Sequence, residues 1–225
     1  MARDLVDLVN QQVASWNAEK RAMEERLSRA RPKPIVTISR QLAAGGRQVA
    51  ERVAEGLEYA LIDKEVVNEI ARRSEVRRDL VEAVDERTRS YIHGWIEGAL
   101  RGWDFDEGDF HQYLLMVVHS FSRLGAVVIL GRGANFIPVD RPALHVRVIA
   151  PVEDRIARLM HTGKTRDEAV LALRDSDAHR GGFVRKVFHA DWEDPQAYDL
   201  VINTGRLSPE TAAAGIVDAV RRMER

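Results

Sequence analysis

Cysteine is absent from the 225 residues, which excludes disulfide bonds, thiolate nucleophiles and cysteine-ligated zinc sites. A net charge is nearly absent too, because 34 Lys and Arg face 35 Asp and Glu and leave a formal charge of -1. No overall field therefore draws the protein to nucleic acid or to anionic lipid. Long apolar runs are missing, and the longest, 114–118 and 126–130, are far too short to span a bilayer. The N-terminus has acids and amides where a signal peptide has an apolar core. We expect a soluble cytoplasmic protein without a membrane or nucleic-acid partner.

Glycine and proline are missing from residues 1–31, after which Pro32 and Pro34 stop any helix. This stretch predicts an extra N-terminal helix over 1–32, set apart from a second domain at 33–225. Two interpretations stay open: an arm that forms a homodimer through residues 1–31, or an amphipathic helix that packs on its own domain. Both rest on a repeat that alternates intervals of three and four, as in a coiled coil, if Lys20 takes one of its positions. The apolar members are Val6, Val9, Val13, Trp16, Met23, Leu27 and Ala30.

Five short apolar stretches alternate with helical patterns in the rest of the chain. This alternation predicts an α/β fold, a five-stranded parallel sheet covered by helices on both faces. Thr165 with Glu168, and Ser208 before Pro209, have the spacing of helix N-termini. Residues 174–192 are basic and broken by two glycines. The strands are expected at 35–39, 59–62, 126–130, 144–149 and 198–203, with helices at 47–57, 64–73, 77–100 and 109–123 and after Pro151, Thr165 and Ser208.

The first predicted strand runs into Gly45 and Gly46 and then into an amphipathic helix. Glycines allow close backbone approach, and a helix that begins there points unpaired N–H groups at a ligand, which suits a phosphate. Asp63 and Arg132 follow two other strands, and ligands of parallel sheets bind at the carboxyl ends of strands. Arginines at that edge suit a phosphorylated ligand. The alternatives are an ordinary strand-to-helix turn, and an Asp63 that caps a helix or pairs with Arg132.

The order of these features resembles the cytidylate kinase-like family, a branch of the P-loop nucleoside monophosphate kinases. The resemblance covers residues 35–222 and includes Leu61-Ile62-Asp63, the arginine-bearing helix after Pro151 and the last strand up to Gly205. Its most specific pieces are Ser39-Arg40 followed by Gly45-Gly46-Arg47, Gly131-Arg132, and Asp191-Trp192-Glu193-Asp194-Pro195 before Tyr198.

The resemblance implies a P-loop nucleoside monophosphate kinase-like fold, with a helical acceptor-binding insert at about 64–125 and a mobile lid at about 175–192. It implies transfer of the γ-phosphoryl group of ATP to a nucleoside monophosphate, cytidylate being the nearest named acceptor, with ATP and Mg²⁺ as cofactors. Asp63 and Arg132 would bind the acceptor, and Arg47, Arg180 and Arg185 would be catalytic. The donor nucleotide would contact Ser39, Arg40, Ala43, Ala44, Gly45, Gly46, Arg47 and Gln48.

The loop departs from the Walker pattern G-x-x-x-x-G-K-[ST]. Arg40 stands at the first glycine, Gly46 at the lysine and Arg47 at the hydroxyl residue. We expect Arg47 to replace the lysine and Ser39 or Thr37 to assist the metal indirectly. Gly133 stands where cytidylate kinases have an aspartate.

These departures leave three functions to compare. The first is an ATP-dependent phosphotransferase of the nucleoside monophosphate kinase type. The second is a catalytically impaired nucleotide-sensing module that dimerises through its N-terminal helix. The third is an RNA-associated protein that uses the basic residues at 72–78 and those of the lid.

Overall fold

The computed structural model describes residues 33–63, 118–119, 125–131, 133–137, 139 and 141–224. All the elements below lie in the compact unit Pro34–Arg225. The predicted helix at 1–32, nearly all of the predicted insert and Arg132 lie outside the described residues. Within the described residues, no helix combines the length and the apolar character that a membrane span requires.

Five parallel strands form a single sheet in the order β2-β3-β1-β4-β5, which confirms the predicted fold. The last strand begins two residues later than predicted, because the N–H of Tyr198 closes a single helical turn at Pro195–Ala197 (3.2 Å to the Pro195 carbonyl). The strands are β1 (Ile35–Arg40), β2 (Ala60–Ile62), β3 (Val127–Leu130), β4 (Ala143–Ile149) and β5 (Leu200–Asn203).

Four α-helices accompany these strands in the described part of the chain. The Thr165 side chain accepts from the N–H of Glu168 in a capping box, and Ser208 caps the last helix ahead of Pro209, as predicted. The helices are α1 (Gly46–Leu57), α2 (Val152–Met160), α3 (Arg166–Phe188) and α4 (Pro209–Met223).

The main core lies between the sheet and helices α1 and α4. Val36 and Ile38 of β1 are buried there against Val53 of α1 and Ile216 of α4. Ile35, on the other face of β1, is buried as well. Burial on both faces explains why the strands read as continuous apolar runs rather than as alternating ones. The central strand β1 is therefore fixed on all sides, and the loop that follows it starts from a rigid position.

Helix α3 corrects the prediction of a glycine-broken basic segment. It is continuous for 23 residues and contains Gly181 and Gly182 in its interior. Gly181 is buried, and a Cβ there would lie 2.9 Å from Nε1 of Trp192. The glycine is thus required by close packing of the indole and does not break the helix. The lid predicted at 175–192 overlaps the C-terminal half of this helix.

Candidate functional site

Residues 41–45 connect the carboxyl end of β1 to helix α1. Ala43 and Gly45 both have left-handed backbone conformations, with φ of 58° and 76°. Gly45 is the N-cap of α1, and it has no side chain with which to cap that helix end. The first N–H groups of α1 therefore receive no hydrogen bond from an N-cap side chain, and this geometry suits an anion.

The loop is held by an ion pair between Arg155, which is buried, and Asp177, which is partly buried. Arg155 of α2 is 3% exposed, and its Nε donates to the carbonyl of Leu42 at 2.7 Å. Its guanidinium also pairs with the carboxylate of Asp177 on α3. Asp177 Oδ1 accepts the N–H of Leu42 at 3.1 Å. Both backbone groups of Leu42 are therefore fixed by this pair.

The next two carbonyls of the loop are held by Thr204, at the end of β5, and by Arg158 of α2. Thr204 Oγ1 donates to the Ala44 carbonyl at 2.6 Å. Arg158 Nη1 donates to the Ala43 carbonyl at 3.0 Å, and Nη2 donates to the Thr204 carbonyl at 2.7 Å. A left-handed alanine costs roughly 1–2 kcal/mol, and these bonds hold Ala43 in that conformation. We call Arg155, Arg158 and Thr204 the carbonyl clamp.

Thr204→Val tests the clamp. The change removes the hydroxyl at constant shape, so the buried Ala44 carbonyl loses its donor, and Arg158 Nη1 loses the Thr204 oxygen 3.1 Å away. We expect the free energy of unfolding in urea to fall by about 1–3 kcal/mol. The matched control is Thr162→Val, at an exposed threonine after α2, for which we expect a change within about 0.5 kcal/mol. Equal effects of the two variants would contradict a role for Thr204 in holding the loop.

Arg180 reaches the loop through the same carboxylate. Its Nη1 lies 3.3 Å from Asp177 Oδ1, and its side chain is 27% exposed. Burial lowers the pKa of Arg180, an effect that the Asp177 carboxylate opposes. Arg185, by contrast, is exposed near the end of α3. The structure thus brings one of the two predicted lid arginines next to the loop.

Arg47 and Asp63, predicted on opposite sides of the site, are in direct contact. Arg47 Nη2 lies 2.8 Å from Asp63 Oδ2, and Nη1 lies 3.7 Å from Glu51. Asp63 follows β2, the edge strand of the sheet. The guanidinium of Arg47 is therefore directed along the carboxyl edge of the sheet, from the loop toward β2, and half of its side chain is exposed.

Arg40, the last residue of β1, crosses the start of α1. A Cβ at Gly46 would lie 2.5 Å from Cβ of Arg40, and a Cβ at Gly131 would lie 1.8 Å from its Nη1. The Arg40 stem therefore covers Gly46, and its guanidinium lies against Gly131 at the end of β3. Both positions need glycine for this reason.

The remaining predicted residues divide between the helix end and the sheet. Gln48 is exposed in the first turn of α1. The hydroxyl of Ser39 lies 3.4 Å from that of Tyr198. Thr37 lies within β1, where its Oγ1 is 2.8 Å from Nδ1 of His145. Burial lowers the pKa of His145, an effect that Asp199 opposes.

The loop fits phosphates better than it fits a magnesium ion. Arg47 stands at the Walker hydroxyl position and is paired with Asp63. The hydroxyls of Ser39 and Thr37 are directed at Tyr198 and His145. Over the described residues, no group of three His, Asp or Glu side chains could hold a metal ion. We therefore assign no described residue to Mg²⁺.

The motif at 191–195 has a packing role that the sequence did not reveal. Arg147 of β4 is 4% exposed, and its guanidinium carbon lies 4.4 Å from the ring centre of Trp192 and 5.5 Å from that of Tyr198. Its Nη1 also donates to the Trp192 carbonyl. Glu193 lies 3.6 Å from Nη2. The motif thus anchors the turn after α3 to the sheet.

A cavity of about 510 Å³ lies toward the amino ends of the strands. Ala143, at the amino end of β4, lines it together with His145 and Asp199. The loop lies at the carboxyl ends of the strands, so this cavity does not belong to the phosphate site.

The carbonyl clamp and Asp177 are the site residues that the sequence did not identify. Arg155 and Arg158 were visible as a pair one helical turn apart, and Thr204 stood at the end of the last strand. No local sequence pattern connected them to the loop, because the loop carbonyls that they bind lie more than 100 residues away in the chain.

Comparison with known proteins agrees with this fold. An uncharacterized protein from Eubacterium ventriosum ATCC 27560 has a similar structure, with a TM-score of 0.69 at 21% identity over 84% of this chain and 99% of that chain. A shikimate kinase from Bacteroides thetaiotaomicron aligns with a TM-score of 0.47 at 14% identity over 84% and 97% of the two chains. No curated protein sequence matches this chain. A model of the cytidylate kinase-like family matches residues 35–206, well over half of the sequence. The chain therefore belongs to the cytidylate kinase-like family.

Proposed function

We propose that this protein transfers the γ-phosphoryl group of ATP to a nucleoside monophosphate or a similar small acceptor. The observation that supports it most is the loop at 41–45. Its carbonyls are clamped, and its last residue, the N-cap Gly45, has no side chain to occupy the N–H groups at the start of α1. The loop lies at the carboxyl end of the central strand, where ligands of parallel sheets bind. Family membership supports the same reaction type.

Phosphoryl transfer needs positioning and charge neutralisation more than covalent chemistry. ATP supplies the phosphoryl group when bound. The backbone of residues 43–48 holds the donor phosphates, as helix N-termini do. The clamp keeps this backbone in place before binding, so little ordering is needed when the anion arrives.

Arginines supply the positive charge in this proposal. Arg180, positioned by Asp177, is close enough to the loop to close over the donor phosphates. Arg185 enters the site only if the end of α3 moves toward it, as a lid would. Arg47 and Asp63 lie toward the edge strand, on the side where the acceptor would bind in this proposal.

A coupled assay of ADP release in magnesium chloride tests the reaction. We expect ADP formation from ATP to rise when one of CMP, dCMP, UMP or AMP is added, because acceptor binding completes the site. Arg180→Met should lower kcat at least about tenfold, through lost charge stabilisation of the transition state. The matched control, Arg166→Gln, removes an exposed arginine at the start of α3 and should leave kcat unchanged.

Folded protein that forms no acceptor-dependent ADP with any of these nucleotides would contradict the proposal. Calorimetry then separates the remaining alternatives. ATP binding without turnover would indicate a nucleotide-sensing module, and no ATP binding would exclude both functions.

A further inference from the structure

The two positions that flank the loop, Arg40 and Gly46, have exchanged residue types relative to the Walker pattern. The pattern has glycine first and lysine sixth after it, whereas this chain has Arg40 first and Gly46 in the lysine position. An arginine therefore stands where the pattern has glycine, and a glycine stands where the pattern has lysine. Considered separately, each change looks like the loss of a phosphate-binding feature.

The structure shows that the two changes depend on each other. The Arg40 stem lies over Gly46, and its Cβ and Cγ are 2.5 and 2.8 Å from the place of a Cβ at that position. Real Cβ atoms do not approach other atoms so closely, so no side chain can begin at position 46 while Arg40 has this conformation. Arg40 therefore occupies the space through which a P-loop lysine would leave the helix.

The guanidinium of Arg40 lies between the loop and the acceptor side. It packs against Gly131 at the end of β3, and β3 lies between β1 and β2 in the sheet. Arg47 extends further along the same edge, to Asp63 after β2. The two cations are thus placed in order, with Arg40 next to the loop and Arg47 toward the acceptor side.

We propose that Arg40 and Gly46 are a reciprocal replacement of the P-loop glycine and lysine, so that Arg40 supplies the cation that contacts the donor phosphates. Arg47 then serves the acceptor side instead of replacing the lysine. This inference rests on the proposed function, since it assigns a role within the same site. A guanidinium suits it chemically, because its fork of N–H donors binds two phosphate oxygens at once.

The experiment measures the affinity of the full chain for ATP and for inorganic tripolyphosphate by titration calorimetry. Arg40→Met keeps an unbranched stem over Gly46 but removes the charge. We expect it to weaken both ligands at least about tenfold, the equivalent of one charge-assisted hydrogen bond. Arg40→Lys, which keeps the charge, should recover most of the affinity. Thermal melting of each variant confirms that it is folded.

Arg222→Met is the matched control, because this exposed arginine lies in the last turn of α4 and pairs with Asp218 of the same helix. It should bind both ligands as the unmodified protein does. If Arg40→Met binds both ligands normally and Arg47→Met loses them, the role assigned to Arg40 is wrong, whereas the proposed function still stands. Failure of the unmodified protein to bind either ligand would overturn the proposed function and this inference with it.

Discussion

Asp177→Asn is expected to lower the free energy of unfolding by about 3 kcal/mol, because it removes the carboxylate that compensates a buried guanidinium. Arg155 is 4% exposed in its side chain, and Asp177 is 21% exposed. The same carboxylate also pairs with Arg180. The asparagine oxygen can still accept the N–H of Leu42, so the measured loss reports mainly on the charge. Urea denaturation followed by circular dichroism gives the value.

Asp175→Asn is the control for this prediction, since Asp175 lies on the same helix but is exposed. Its effect should stay within about 0.5 kcal/mol. A second check is the double variant Arg155→Met/Asp177→Asn, in which the unpaired charge is gone. Its loss should be smaller than the sum of the two single losses. Additive losses, or an Asp177→Asn protein as stable as the control, would show that this ion pair does not support the loop.

Gly46→Lys is expected to lower the free energy of unfolding by about 1–3 kcal/mol, through overpacking against the Arg40 stem. Restoring the Walker lysine on its own therefore harms the protein. Adding Arg40→Gly removes the side chain that would lie 2.5 Å from the new Cβ. The double variant should be more stable than Gly46→Lys alone, even though a glycine within β1 is itself unfavourable. Urea unfolding of the four proteins in this cycle measures the coupling.

The control for this cycle is a second glycine that also lies in an α-helix but has open space around it. Gly182 lies inside α3, and a Cβ there would meet nothing within 4 Å. Gly182→Lys should therefore leave stability unchanged or raise it slightly, since glycine is a poor helix former. If Gly46→Lys behaves like Gly182→Lys, the Arg40 side chain does not lie over Gly46. The double variant should also bind ATP more tightly than Arg40→Gly, because its lysine returns the missing cation.

Local sequence patterns were sufficient for most of the elements that the structure describes. Short apolar runs marked the strands, and the first residues of α3 and α4 were identified from Thr165 and Ser208, whose caps depend on contacts within four residues. Gly181 shows where such reasoning fails. It was interpreted as a break, yet it lies inside a helix because Trp192, eleven residues later, packs against it. A glycine's role depends on what approaches it in space, and local pattern does not contain that information.

The sequence by itself determined that a glycine turn follows a buried strand, that the turn opens a helix, and that arginines lie at the carboxyl edge of a parallel sheet. Hydrophobic periodicity and the geometry of helix ends are short-range properties, so they can be read along the chain. Only the tertiary structure decided where each cation goes: Arg47 to Asp63, Arg40 across Gly46 to Gly131, and Arg155 to the backbone of Leu42. A long side chain reaches several neighbours from one backbone position, and the packing of distant strands and helices selects among them.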